Sequence, residues 1–334
     1  MPKVLFLTDR AERHQRAALK YAPPDLEVTL KRRPAKADLM PLLPSADFII
    51  SERNIPITGE MISAAENLKL IVRLGSLTHD IDRDAARAIG VRVSAQPVIE
   101  TIYVAEHLLM MILATRRHLG RSFAAANAAD HGHPARRTDD NTFSFNWCGF
   151  TDLTGLYGKQ VAIVGMGESG VELARRLRPF RLDGLYYNKQ EQYPRAVERE
   201  LGITYRTLPA AMTADVVVSL LPYNAQTHRV INAEMLGTMK HSAVLVHAGS
   251  GGVIDEQALV EALKAGTLAG AALDTYEFEP LQPTHSLVKL ARDPESNLLL
   301  TPHTAGATPP EGPAEDYGEI MRFLKDEPLR YEIS

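Results

Sequence analysis

A single cysteine, Cys148, stands in a chain of 334 residues, so no intramolecular disulfide can form. The sequence therefore carries no sign of an oxidising compartment, and a cytoplasmic home is the simplest expectation. There is no uncharged apolar stretch of the ~20 residues needed to cross a bilayer. The opening Val4-Leu5-Phe6-Leu7 is too short for a secretory signal and reads as a buried strand. Basic excess is missing too. With 37 Lys and Arg against 41 Asp and Glu, the net charge is −4, which removes the electrostatic reason to expect nucleic acid or an anionic membrane as partner. Internal repeats and low-complexity segments are absent. His131-Gly132-His133 lacks a cysteine or acidic cluster at ligand spacing, so it reads as a solvated loop and no metal is expected. No partner base is implied for Cys148, which reads as a packing residue.

What the chain does have is alternation. Its length exceeds one ordinary core and suits two domains. Val4–Leu7, Phe48–Ile50 and Leu70–Val72 are short, branched and apolar, and amphipathic stretches such as Arg83–Ile89 separate them. That is the pattern of parallel strands buried on both faces and joined by crossover helices. A long helix is expected over Thr101–Leu119, ending at Gly120, followed by a polar loop over Asp130–Thr154. Alternation resumes at Gln160–Val164 and continues through Leu185–Tyr187, Val216–Ser219, Ala243–Val246, Ala269–Leu273 and Leu298–Leu300. A last amphipathic helix is expected over Ala314–Lys325. Arg116-Arg117-His118 reads as charge suited to a helix carboxyl end, and Arg175, Arg176 and Arg178 as a solvated helix face. The fold expected is α/β, with two doubly wound parallel-sheet domains: a Rossmann cofactor domain over 105–305, and a flavodoxin-like substrate domain from 1–104 with 306–334.

Gly165-Met166-Gly167-Glu168-Ser169-Gly170 directly follows the strand Val161–Val164 and directly precedes the helical run Val171–Leu177. Alone the pattern is weak, but both flanks are the ones dinucleotide binding needs. Gly165 permits the sharp turn, Gly167 lets pyrophosphate approach the backbone, and Gly170 lets helix and strand pack closely. The next strand should end in an acid for the adenosine ribose, yet the chain reads Tyr186-Tyr187-Asn188-Lys189. Asn188 removes the repulsion of a 2′-phosphate, and Lys189 or Arg195 could meet that phosphate. The cofactor expected is NAD(P), leaning to NADP(H). The alternative is NAD(H) bound through the asparagine amide, with Lys189 a solvated loop residue.

Four further segments carry a family resemblance. They are Val104-Ala105-Glu106-His107, Val246-His247-Ala248-Gly249-Ser250-Gly251-Gly252-Val253-Ile254-Asp255, Ala271–Pro280 and Leu300-Thr301-Pro302-His303-Thr304-Ala305-Gly306. In order and spacing they resemble the signature segments of the D-2-hydroxyacid dehydrogenases, over nearly the whole chain. The resemblance implies an oxidoreductase moving a hydride between NAD(P) and a 2-hydroxyacid or 2-oxoacid, or a related hydroxy or carbonyl compound. It implies His303 and Glu279 as the acid–base pair. Chemistry supports this, because a carbonyl receiving hydride needs a proton, and a carboxylate beside histidine favours and orients the imidazolium. It also implies that Asp274 contacts the nicotinamide carboxamide, that Leu221 and Pro222 join the cofactor site, and that the protein is a homodimer through the cofactor domain.

Two departures fall on the substrate side. The family pattern Asn-x-Ala/Ser-Arg-Gly supplies an arginine for the substrate carboxylate; here His247 stands at the asparagine position and Ser250 at the arginine position. A serine has no planar, permanently charged, two-pronged donor. In Gly75-Ser76-Leu77-Thr78, Leu77 stands near a family glycine whose backbone helps hold the same carboxylate. Ser76, Leu77, His247 and Ser250 are therefore the expected substrate pocket. Three explanations are open: a less anionic substrate, replacement of the arginine by Arg53, Arg73 or His79, or loss of catalysis in a nucleotide-sensing interaction protein. Retention of His303 and Glu279 argues against the last.

Overall fold

The computed structural model describes residues 1–130, 132–142, 145–307 and 312–333, with no account of the side chains at 312–314. His131 lies outside the described residues, and with it part of the His131-Gly132-His133 stretch. The chain forms two compact units, Met1–Glu100 with Thr308–Ser334, and Thr101–Ala307.

The first unit holds a five-stranded sheet of β1 (Lys3–Thr8), β2 (Glu27–Arg32), β3 (Phe48–Ser51), β4 (Leu70–Leu74) and β5 (Arg92–Gln96). Its spatial order is β2-β1-β3-β4-β5, and every pairing is parallel. Both faces are covered, so alternate residues of one strand enter different cores. Leu5, Leu7, Ile49, Ile71 and Val93 pack with Met61 and Ile62 on one side. Val4, Phe6, Phe48, Ile50, Leu70 and Val72 pack with Tyr317 and Ile320 on the other. Tyr317 and Ile320 come from the end of the chain, where a 3-10 turn over Gly312–Tyr317 leads into an α-helix over Gly318–Leu324. The single helix expected over Ala314–Lys325 is thus two pieces. Buried Glu319 fastens this segment, accepting from the Ser94 hydroxyl at 2.6 Å and from the Arg330 and Tyr331 amides at 3.1 and 3.2 Å.

The second unit holds seven strands: β6 (Gln160–Val164), β7 (Gly184–Asn188), β8 (Thr204–Tyr205), β9 (Val216–Ser219), β10 (Val244–His247), β11 (Gly270–Leu273) and β12 (Leu298–Leu300). Their order is β12-β11-β10-β9-β6-β7-β8, again parallel throughout. From β6 the chain winds one way through β7 and β8, then returns to the other side of β6 at β9. That reversal opens a crevice at the carboxyl ends of β6 and β9, where open α/β sheets bind ligands.

Two expectations need correction here. The long helix runs over Ile99–Arg116, and a second helix over Leu119–Ala128 follows it. The break is His118, left-handed at φ 47, whereas Gly120 sits inside the second helix. Arg116 stands in the last turn of the first helix, as expected; it is buried, its guanidinium donates to Ser242 O at 3.0 Å, and burial lowers its pKa. Arg175 and Arg176 are half-buried and clamp the carboxylate of buried Glu172 at 2.8 and 2.7 Å. No helix of the described residues is long and apolar enough to cross a membrane.

Candidate active site

The glycine turn sits at the switch point of the second unit's sheet. Gly165 leaves β6 at φ 93, and a β-carbon there would lie 2.6 Å from the Leu220 carbonyl carbon and 2.7 Å from Leu221 N. The turns leaving β6 and β9 are therefore in contact through a residue that must be glycine. Gly170 would press a β-carbon to within 3.0 Å of Met166 Sδ and 3.2 Å of Ile163 Cγ2, which is helix packed directly on strand. Gly167 is different. It is exposed, caps the ten-residue helix Glu168–Leu177, and a β-carbon on it would meet nothing within 4 Å. Open space before the amino end of a helix is the cradle that a pyrophosphate needs, so these residues fit a dinucleotide. Glu168 and Ser169 form the first turn of that helix, Met166 is buried behind it, and Leu221 and Pro222 follow β9 beside it. Nicotinamide, when bound, supplies or accepts hydride.

At the end of β7, Asn188 O accepts from the Gly165 amide at 3.0 Å, so this strand end supports the glycine turn. The Asn188 amide group donates to Arg206 O at 2.9 Å. Lys189 is half-buried, with Nζ 5.2 Å from the centre of the Tyr193 ring. Arg195 is exposed.

His303 and Glu279, 24 residues apart, are brought together by the loops leaving β12 and β11. His303 Nδ1 lies 2.7 Å from Glu279 Oε2, and the two side chains are 61% and 33% exposed. A carboxylate only accepts, so Nδ1 donates and Nε2 is the nitrogen left facing outward. Glu279 is itself held, its Oε1 accepting from Tyr276 N at 3.0 Å. His303 adopts φ 54, an uncommon conformation for a residue with a β-carbon. Asp274 holds that backbone in place. Its fully buried carboxylate accepts from Thr304 N and Ala305 N at 2.9 Å each and from Thr301 Oγ1 at 2.6 Å. His107 Nε2 lies 3.1 Å from the same Thr301 oxygen. Tyr276 adds a further tie, its hydroxyl 2.8 Å from Thr301 O and 3.0 Å from Leu273 O. Thr301, Tyr276 and the role of His107 were not evident from sequence; the one available signal was their closeness along the chain to His303, Glu279 and Glu106.

Ser250 leads a 3-10 turn over Gly251–Val253 after β10; it is half-buried, and its amide donates to Leu221 O at 2.9 Å. His247, at the end of β10, has no exposed surface, and neither ring nitrogen finds a well-aligned hydrogen-bond partner. Burial pushes its pKa down to about 4, against weaker opposing help from the Ser250 and Ser219 backbones. The imidazole is therefore neutral at neutral pH.

In the first unit, Gly75 turns out of β4 at φ 124, followed by half-buried Ser76 and buried Leu77. Arg73 is fully buried, with Nη2 at 2.7 Å from both Asp80 carboxylate oxygens and Nη1 at 3.1 Å from Ser51 Oγ. A guanidinium with no surface and a carboxylate on Nη2 cannot also receive a substrate, which removes Arg73 as a stand-in for the missing arginine. Half-buried Arg53 and exposed His79 keep the surface that Arg73 lacks.

A nucleotide-binding α/β protein is the class that this sheet and its glycine turn define. The family model described as "D-isomer specific 2-hydroxyacid dehydrogenase, NAD binding domain" matches residues 110–305. The chain is 32% identical over 286 residues to D-3-phosphoglycerate dehydrogenase of Archaeoglobus fulgidus, spanning 85% of this chain but only 50% of that relative. It is 31% identical to glyoxylate reductase of Korarchaeum cryptofilum, across 82% of this chain and 78% of the relative. Among solved structures, a Pyrococcus horikoshii protein aligns over 100% of this chain and 95% of its own, with TM-score 0.58 and 29% identity. The chain belongs to the D-isomer specific 2-hydroxyacid dehydrogenase family, and it is an NAD(P)-dependent oxidoreductase of the kind that acts on CH–OH groups.

Proposed function

We propose that this enzyme interconverts a carbonyl and a hydroxyl group, with His303 moving the proton and Glu279 orienting it. The observation that carries this is the 2.7 Å pairing of His303 Nδ1 with Glu279. It commits Nδ1 to the carboxylate and leaves Nε2 to exchange a proton with substrate oxygen. In the reducing direction, Nε2 donates as the carbonyl carbon gains hydride; in the oxidising direction it accepts. The family's oxo-acid and hydroxy-acid chemistry is the starting point for the substrate, and the names of the relatives, phosphoglycerate and glyoxylate, lie within it.

Ser250 shifts that substrate towards a less anionic carbonyl compound, because the pocket lacks the fork at this position. A desolvated charge-assisted contact of that kind contributes roughly 2–5 kcal/mol. Neutral His247 shapes the loop from beneath, and half-buried Ser76 is the residue we assign to substrate recognition in the first unit, with buried Leu77 setting the shape of its loop. Absorbance of NADPH and NADH against a panel of 2-oxo acids and uncharged carbonyls tests the reading. Turnover of uncharged carbonyls is expected to exceed that of oxo acids. Silence on every compound, with nucleotide bound, would overturn the enzyme reading in favour of a nucleotide-sensing interaction protein. Ser250→Arg is expected to raise kcat/KM for 2-oxo acids at least ~10-fold; no gain would mean that the pocket is rebuilt beyond this one position.

Two further assignments follow. The cofactor leans to NADP(H), since Asn188 brings no charge to repel a 2′-phosphate. The protein is a homodimer through the second unit, whose helices and following loop leave Met110, Leu119, Phe123, Phe145, Trp147 and Tyr157 in solvent at 40–84% exposure. Sedimentation at micromolar concentration is expected to show a dimer, and a monomer would overturn that assignment.

A further inference from the structure

Arg206 lies outside the glycine turn and outside the loop that follows β7, yet it meets the end of that strand. Arg206 comes directly after β8, the edge strand, and its amide donates to Tyr187 O at 2.9 Å. Its own carbonyl receives the Asn188 amide at 2.9 Å. The backbone of Arg206 is thus fixed on both sides to the strand end where the ribose acid is missing.

Its guanidinium carbon lies 3.3 Å from the centre of the Tyr186 ring. At that distance the group lies against the aromatic face, which restrains it without using its N–H donors. Arg206 is half-buried, and among the described residues it forms no ion pair. Other half-buried arginines of this protein are differently placed. Arg10 is held by Glu52 and Asp316, and Arg175 and Arg176 by Glu172. Lys189 approaches the same strand end over Tyr193, whose hydroxyl donates to Met166 O of the glycine turn at 2.9 Å. Aromatic side chains therefore hold two cations near a strand end that carries no carboxylate.

We propose that Arg206 is the anion receptor that selects a 2′-phosphorylated dinucleotide, with Lys189 adding charge beside it. A stacked planar guanidinium offers two parallel N–H donors, the geometry that binds phosphate best. Restraint before binding lowers the ordering cost. This rests on the dinucleotide reading of the glycine turn and adds the residue that discriminates NADPH from NADH.

The test is equilibrium binding, by quenching of intrinsic fluorescence and by calorimetry, using NADPH, NADH, 2′,5′-ADP and 5′-AMP as probes. The wild-type protein is expected to prefer NADPH over NADH, and 2′,5′-ADP over 5′-AMP. Arg206→Ala is expected to weaken NADPH and 2′,5′-ADP roughly ten- to hundredfold while leaving NADH unchanged. Arg206→Lys should recover part of the loss, since it restores the charge without the fork. Equal weakening of NADPH and NADH would mean that Arg206 supports the adenosine half generally, and would overturn the proposal. An unchanged NADPH affinity, or a wild-type preference for NADH, would overturn it as well. In those cases the dinucleotide reading survives, because a nucleotide still binds. Binding of neither NADPH nor NADH by the wild-type protein would bring down both.

Discussion

His303→Ala is expected to lower kcat by ~10²–10⁴, the range that a positioned general acid contributes. Dinucleotide affinity should hardly move, because the imidazole hydrogen-bonds to Glu279, on the loop after β11, and that loop is separate from the glycine turn, the Glu168–Leu177 helix and the end of β7. The separation of kcat from nucleotide Kd is the informative readout. The loop backbone should survive the change: Asp274 grips Thr304 N and Ala305 N whatever side chain stands at 303. An alanine variant that turns over at the wild-type rate would remove His303 from the mechanism. A variant that loses nucleotide along with turnover would show the histidine to be structural.

Gly251→Ala is expected to be among the most damaging single-atom additions to the second unit. Its β-carbon would lie 1.8 Å from Tyr276 O and 1.9 Å from Tyr276 C. Neither partner can retreat. Tyr276 is tied through its hydroxyl to Leu273 and Thr301, and Glu277 N donates to buried Glu256 at 2.9 Å. Burial raises the Glu256 pKa, and the Glu277 amide opposes that rise. Ordinary overpacking costs about 1–3 kcal/mol, and a clash with a backbone peptide group belongs at or above the upper end. A fall in Tm on the order of 10 °C follows for a unit of this size. Activity should fall further than stability, since Glu279 rides on the displaced segment. Gly167→Ala is the control, because its β-carbon meets nothing within 4 Å. Matching melting curves for the two variants would mean that the Tyr276 turn gives way freely.

Strands buried on both faces were legible because they must be apolar throughout: Gln160–Val164 and Val216–Ser219 match the observed bounds, and Leu298–Leu300, an edge strand made wholly of leucine, matches too. The strands that escaped notice, Glu27–Arg32, Arg92–Gln96 and Thr204–Tyr205, all lie at sheet edges. An edge strand keeps one side open, so it tolerates Glu, Lys, Arg and Thr and loses its apolar signature. His118 broke the long helix without a glycine or proline to announce it. In the site, Glu279 and His303 were reached through the family resemblance, whereas Gly165–Gly170 could be picked out by local pattern, because turn geometry constrains residue type directly. Arg206 could not. Its meaning depends on which strand pairs with β7, and pairing is a property of the folded sheet.

The second unit is spliced into the first, between Glu100 and Thr308. Residues 1–100 alone leave one face of their sheet only partly covered: Ala18 and Leu26 pack there, but Tyr317 and Ile320 belong to the same core. Glu319, which receives Ser94, arrives equally late. The intervening unit carries all seven of its strands within one continuous stretch and needs nothing from either end to close its sheet. Sequence order and folding order therefore part company: the middle of the chain can complete itself while residues 1–100 still wait for Tyr317 and Ile320.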